Sequence, residues 1–259
     1  MDAFNLIFGL IMIGAFIGLI IVAKKQKTQH NAQMAAVIFA GVVLVCGVAI
    51  SVHNLFYDKN AKYEGIENGY AESTAYIMGE ELAKRFPGAK LLVIVEPDYQ
   101  NNKTMLGMVN ALKKGLGSKM TKVDVEPLKV KIPPTYTLLS VMKAKDFNSI
   151  IKAKKPSIVL TLVGLPNDFQ KLDIWKMYED EPEKAPKLAV INGSISDLYP
   201  VIKEGVVVAA VRYKPDVFVD ENDVCPADYK KAFDKRYLMI TPKNVDQIKK
   251  KYGSKIFRK

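Results

Sequence analysis

The chain has 259 residues, with 38 Lys+Arg against 27 Asp+Glu, a formal net charge of +11, 49% apolar residues and two cysteines. That apolar content, with 16 glycines and 13 prolines, excludes a disordered, collagen-like or disulfide-stapled protein. The apolar residues are unevenly spread, and the element pattern begins with that unevenness.

Ala3 to Ala23 and Met34 to Val52 carry no charge, and each is long enough to cross a hydrocarbon core of about 30 Å as a helix. A secretory signal would open on a positive segment and close on a small-residue cleavage site. Here the first charge is Asp2 and the run ends in Lys24 and Lys25, which predicts an uncleaved two-helix hairpin over residues 1–57, with spans at 3–23 and 34–52. Lys24, Lys25 and Lys27 lie in the connecting loop, and short basic loops stay cytoplasmic. Both termini and the domain from 58 to 259 are therefore expected outside an inner, or cell, membrane crossed twice, with Phe56 and Tyr57 at headgroup level. Gly14 and Gly18 form a GxxxG notch that lets a second helix approach, either from another protein or from the chain's own second span.

Beyond the membrane the periodicity alternates. Ala71, Ala75, Met78, Leu82 and Phe86 recur at helical spacing before Pro87-Gly88. Leu91 to Val95 is a continuous apolar run, the mark of a strand buried on both faces. Met105, Met108, Val109, Leu112 and Leu116 form the next helical stripe, closed by Gly117. A strand is predicted at Val123 to Val130. A break at Pro133-Pro134 follows, then a helix that Asp146 can cap, with Phe147, Ile150 and Ile151 inward. Ser157 to Val163, Lys187 to Ile191, Val206 to Val211 and Tyr237 to Thr241 read as further strands. Helical pieces fall around Phe169 to Trp175, at Pro200, and after Asn244, while Lys214 to Lys235 has no period and reads as an excursion. Such alternation predicts βαβ units and a three-layer αβα sandwich around a mainly parallel sheet of about six strands.

After Val52 the chain carries 35 basic and 26 acidic residues, close to +9, but only four arginines: Arg85, Arg212, Arg236 and Arg258. A surface of lysines without interleaved aromatics argues against nucleic-acid recognition, for which arginine's rigid fork is the usual tool. A solvated, soluble face is the better account, with weak attraction to anionic headgroups of the lipid bilayer or to envelope polymers as the alternative. Cys46 lies in the second span and Cys225 is the domain's one thiol, so no disulfide staples the fold. The two histidines, His30 and His53, lie outside the domain, which removes His-dependent triads and His-ligated zinc; no cofactor and no enzymatic activity are expected.

The runs KLLVIVEPDYQNNKTMLGMVNALKKGLG and AKDFNSIIKAKKPSIVLTLVGLPNDF resemble the second lobe of type I periplasmic solute-binding proteins and their ABC-transporter relatives, over about residues 70–215. The resemblance implies a ligand-binding lobe. It also implies a second lobe to close the cleft, for which this chain has no room, so a partner or a second copy is expected to supply the other wall.

In a parallel sheet, ligands bind outside the carboxyl ends of the strands. That rule selects Glu96, Asp98, Tyr99, Asn101 and Asn102 after the first strand, Gly164, Asn167 and Asp168 after the third, and Asn192, Gly193 and Ser194 after the fourth. The same polar residues also serve any βα loop as turns and caps. Glu96 and Asp98 are spaced like a carboxylate pair, but no third ligand or nucleophile accompanies them. Asp220 to Asp223 lacks the spacing and glycine of a calcium loop, and Glu179 to Glu183 reads as a solvated acidic turn. Gly115 to Lys119 ends a helix where a phosphate loop would begin one. Asn102-Lys103-Thr104 and Asn192-Gly193-Ser194 match the glycosylation sequon. Trp175, Met105 and Met108 sit at core spacing. The expectation is an interaction or scaffold subunit of an envelope complex, with other membrane or envelope proteins, or further copies of itself, as partners. The alternative is a small-molecule sensor or capture module acting as a dimer or with a partner lobe.

Overall fold

The computed structural model describes residues 3–25, 31–56, 59–218 and 223–258. The expectations placed on Lys27, His30, Tyr57, Asp220, Glu221 and Asn222 lie outside the described residues. The backbone divides into two units, Met1–Tyr63 and Glu64–Lys259.

The first unit is a helical hairpin of α1 (Ala3–Lys25) and α2 (Asn31–Phe56). At its open end the Asn5 amide donates to Asn54 Oδ1 at 2.7 Å, and the Phe4 ring stacks on His53 at 4.1 Å. Further along, Gly18 faces the Phe39 ring so closely that an added Cβ would sit 2.8 Å from it. That half of the GxxxG notch is thus filled from within the chain, while Gly14 has open space around it. Outside this seam, Leu10, Ile13, Phe16, Val37 and Leu44 are exposed. A helix of a water-soluble hairpin would put polar residues there. These are two helices long and apolar enough to cross a membrane.

The second unit begins within α3 (Lys59–Arg85) and runs on through β1 (Lys90–Val95), α4 (Lys103–Leu116), β2 (Lys122–Pro127), α5 (Leu138–Val141), α6 (Ala144–Lys154) and β3 (Ile158–Thr161). It continues through α7 (Asp173–Asp180), β4 (Lys187–Val190), α8 (Tyr199–Lys203), β5 (Val207–Tyr213), α9 (Tyr229–Arg236), β6 (Tyr237–Ile240) and α10 (Val245–Tyr252). The six strands lie in the order β2-β1-β3-β4-β5-β6. The first five are parallel and β6 is antiparallel to β5. Leu91, Val93 and Val95 point into one core with α3, α4 and α9; Leu92 and Ile94 point into the other with α6, α8 and α10. The αβα sandwich expected from the sequence is the observed fold.

Two packing features fix the α3 side. Near their crossing α3 and α4 touch through backbone: a Cβ on Gly79 would lie 2.6 Å from the Leu112 carbonyl oxygen, and one on Gly115 would run into the Tyr76 carbonyl. Nearer the start of α3, Arg236 at the end of α9 is 1% exposed. Its guanidinium lies 3.3 Å from the centroid of the Tyr70 ring and is bonded to Glu67 at 2.6 Å and Asp223 at 3.3 Å. Tyr70 donates its hydroxyl to Asp223 at 2.8 Å, and Lys235 closes an ion pair with the same carboxylate.

The structure departs from the sequence reading in five places. Helix α3 starts at Lys59, not near residue 69. The apparent excursion contains α9, capped by Asp228, whose side chain accepts from Lys231 N. Asp146 is not the N-cap of α6: it stands in the first turn and accepts from Lys143 N at 2.9 Å. Asn244 precedes α10, but its side chain accepts from Thr241 N and so ties the preceding loop. The helix around Trp175 is split into a 3₁₀ turn, Phe169–Lys171, and α7.

Candidate functional site

The strand order changes direction between β1 and β3, and the carboxyl ends flanking such a point are where doubly wound sheets bind ligands. Two separate hollows open along this edge. One, of about 450 Å³, is lined by Glu96, Pro97, Asp98, Asn101, Asn102 and Ile132. The other, of about 210 Å³, lies beyond β4 and β5 and is lined by Thr74, Asn192, Gly193 and Arg212 among others.

The first hollow is built on a rigid turn. Asn101 donates its amide to Asp98 Oδ1 at 2.7 Å, and Asn102 caps α4 by accepting from Met105 N at 3.1 Å. Among the described residues the half-buried carboxylate of Glu96 makes no hydrogen bond. Tyr99 turns away and packs against the core beneath α3 and α4. Among the described residues no three His, Cys, Asp or Glu side chains gather to hold a metal ion.

The other rim residues are engaged within the fold. Gly164, at φ +79°, lies so close to the next loop that a Cβ would strike the Asn192 carbonyl oxygen. Asn192, itself at φ +59°, donates its side-chain amide to the Leu162 carbonyl at 3.0 Å, and buried Thr161 donates to the Gly164 carbonyl at 2.6 Å. These bonds stitch the β3 and β4 loops together. Asn167 donates to the Leu139 carbonyl at 3.4 Å, and Ser194 shares a hydrogen bond with Ser196 at 2.5 Å. Asp168 accepts from Ala144 N at 2.9 Å and thereby caps α6 from 24 residues away. Asp168→Ala should therefore lower stability by about 1 kcal/mol, the usual worth of a helix cap. A shift of the urea midpoint no larger than that of an exposed-lysine variant would refute the role.

Of the residues nominated from the sequence, Glu96, Asp98, Asn101 and Asn102 share the larger hollow, and Asn192 and Gly193 line the smaller one. The sequence reading missed Arg212 and Tyr213, which end β5, because no loop glycine or asparagine marks that strand end.

Architecture and edge together define a doubly wound α/β domain joined to two apolar helices. No family model and no curated protein matches the chain. Among solved structures it is similar to a glucose-galactose binding protein from Geobacillus stearothermophilus, at 14% identity and TM-score 0.38, covering 74% of this chain and 57% of that one. It is similar to an ABC transporter solute-binding protein from Bradyrhizobium sp. BTAi1, at 13% identity and TM-score 0.41, covering 70% and 54%. It is also similar to ureidoglycine-glyoxylate aminotransferase from Bacillus subtilis, at 13% identity and TM-score 0.33, covering 68% and 38%. The chain spans little more than half the length of the two binding proteins.

Proposed function

We propose that this chain is a membrane-anchored, extracytoplasmic interaction or scaffold subunit, built on a single lobe of solute-binding-protein type and without enzymatic activity. One observation carries the reading: apart from Glu96, the nominated polar side chains at the carboxyl edge are largely spent on their own loops, with Asp168 on α6, Asn102 on α4 and Asn192 on the β3 loop, and the edge is divided into two separate hollows of about 450 and 210 Å³. Such an edge suits a protein surface more than an enclosed small molecule. The exposed apolar hairpin supplies the anchor, and the basic residues Lys24 and Lys25 at its turn favour a cytoplasmic loop.

Mild-detergent extraction of the intact protein should bring down stoichiometric neighbours. Purification as an isolated monomer, with a small molecule raising its melting temperature, would favour the alternative. That alternative, a sensor or capture module completed by a second copy, has Glu96 in its favour, since a half-buried carboxylate without a protein partner suits a hydroxyl-bearing or cationic ligand.

Topology has its own test. Cys225 is half-buried with its sulfur against Gly69, and burial pushes its thiol up, which slows thiolate chemistry. A membrane-impermeant maleimide should therefore label it slowly at pH 7 and faster at pH 9 while the inner membrane is intact. Labelling that waits for lysis of that membrane places the domain in the cytoplasm and removes the extracytoplasmic reading.

A further inference from the structure

At the opposite edge of the sheet, where the strands begin, α6 and α7 leave a groove of about 700 Å³ between them. Its apolar lining comes from Ile151, Pro156, Met177 and Pro186. Met177 is 40% exposed, because α7 buries only Ile174 and turns the next helical face outward. Lys152, Lys155, Lys176 and Lys184 stand around this lining with two carboxylates, Asp173 and Asp180. Lys184 is paired with Glu181 at 2.5 Å, whereas Lys152, Lys155 and Lys176 form no ion pair among the described residues.

Neither feature stands by itself as a site. Lysines at the end of α6 complement its dipole, and single exposed apolar residues are ordinary. Their conjunction is more selective. An apolar trough between two helices accepts the apolar face of a third, and unpaired ammonium groups on its rim favour a partner with carboxylates on the flanks of that face. We propose that the α6–α7 groove docks an acidic amphipathic helix of a partner protein. The assignment deepens the interaction reading and rests on it for its biological meaning. Its test uses purified full-length protein, so a failure here leaves the topology and copurification results untouched.

The probe is a fluorescein-labelled helical peptide of about 14 residues, roughly four turns, with leucines on one face and glutamates flanking them. Fluorescence anisotropy with the detergent-solubilised chain should show saturable binding that weakens with salt. Lys152→Glu with Lys176→Glu should raise Kd by about tenfold or more, since it places like charges across the interface. Met177→Asp should weaken binding as well, through the trough and not the rim. Lys129→Glu with Lys131→Glu alters the net charge equally on exposed lysines outside the groove and should leave Kd within about twofold. Matching thermal melts will confirm that the variants are folded. The proposal is overturned if the glutamate peptide does not bind, if a glutamine version binds as tightly, or if the control pair weakens binding as much as the groove pair. It is also overturned if vesicles containing anionic phospholipid lose binding to the groove pair while the peptide does not, which would make the surface a lipid contact.

Discussion

Gly115→Val should cost the soluble domain about 3 kcal/mol or more, a large part of the roughly 5–15 kcal/mol that stabilises a typical domain. A Cβ at this position would meet the Tyr76 carbonyl oxygen, would lie 3.0 Å from the Tyr76 carbonyl carbon and 3.2 Å from Glu80 N, and all three atoms are backbone. No rotamer change can relieve such a clash, so α4 has to move off α3. The residues that separate are Met78, Leu82, Met108 and Leu112, all within 1% of full burial. Gly107→Ala is the matched comparison. Its Cβ would meet the Glu72 side chain, which can swing aside, and alanine gains about 1 kcal/mol of helix propensity over glycine. That variant should stay within about 1 kcal/mol of wild type. Trp175, the only tryptophan, packs on the opposite face of the sheet and donates to the Phe169 carbonyl at 2.6 Å, so its fluorescence follows global unfolding. Equal urea midpoints for the two variants would refute backbone contact at the crossing.

The same helix crossing marks what the sequence makes readable. The α4 stripe and the strand at Leu91 to Val95 are plain because each buries apolar side chains at its own period. The start of α3 is not plain. Residues 63–69 include Gly65 and Gly69 and send only one aliphatic side chain, Ile66, against the core, while Glu67 reaches Arg236 and Asn68 reaches Thr104. Helix α9 hides for a related reason, because its buried face is Ala232, Phe233 and Arg236, and an inward arginine breaks the apolar pattern. With α9 hidden, nothing in the sequence revealed that β6 runs antiparallel to β5. At the candidate site, loop position was legible from the rule about strand ends. Which side chains the loops consume was not, since the Asp168 contact to Ala144 joins segments whose spacing carries no signal.

The buried ion cluster allows stability and pH dependence to be separated by two substitutions. The Arg236 side chain is 1% exposed, and its partners Glu67 and Asp223 are 30% and 14% exposed. Arg236→Met keeps the length and removes the charge, leaving the partly buried Glu67 carboxylate without its cation and Asp223 with Lys235 alone. Breaking a buried pair costs about 3–5 kcal/mol, and partial solvent access to both acids should bring the loss at pH 7 to about 2–3 kcal/mol. Acid has a different target. The Lys235 ammonium bonded to Asp223, helped by the Tyr70 hydroxyl and by Arg236, holds that carboxyl down from the usual 3.8 to about 2. A group depressed in the folded state binds fewer protons there than in the unfolded chain, so its stabilisation is complete above pH 4 and is lost as pH falls from 4 to 2. Lys235 is 45% exposed and its ion pair is screened by solvent, so Lys235→Ala should cost little stability at pH 7. It should nevertheless flatten the acid limb of the stability curve, because the leading cause of the depression is gone. Urea titrations of wild type and both variants at pH 2.5, 4 and 7 would measure both effects. If Lys235→Ala keeps the wild-type acid slope, or Arg236→Met melts with wild type at pH 7, the cluster does not hold the start of α3 to α9 in the way the geometry requires.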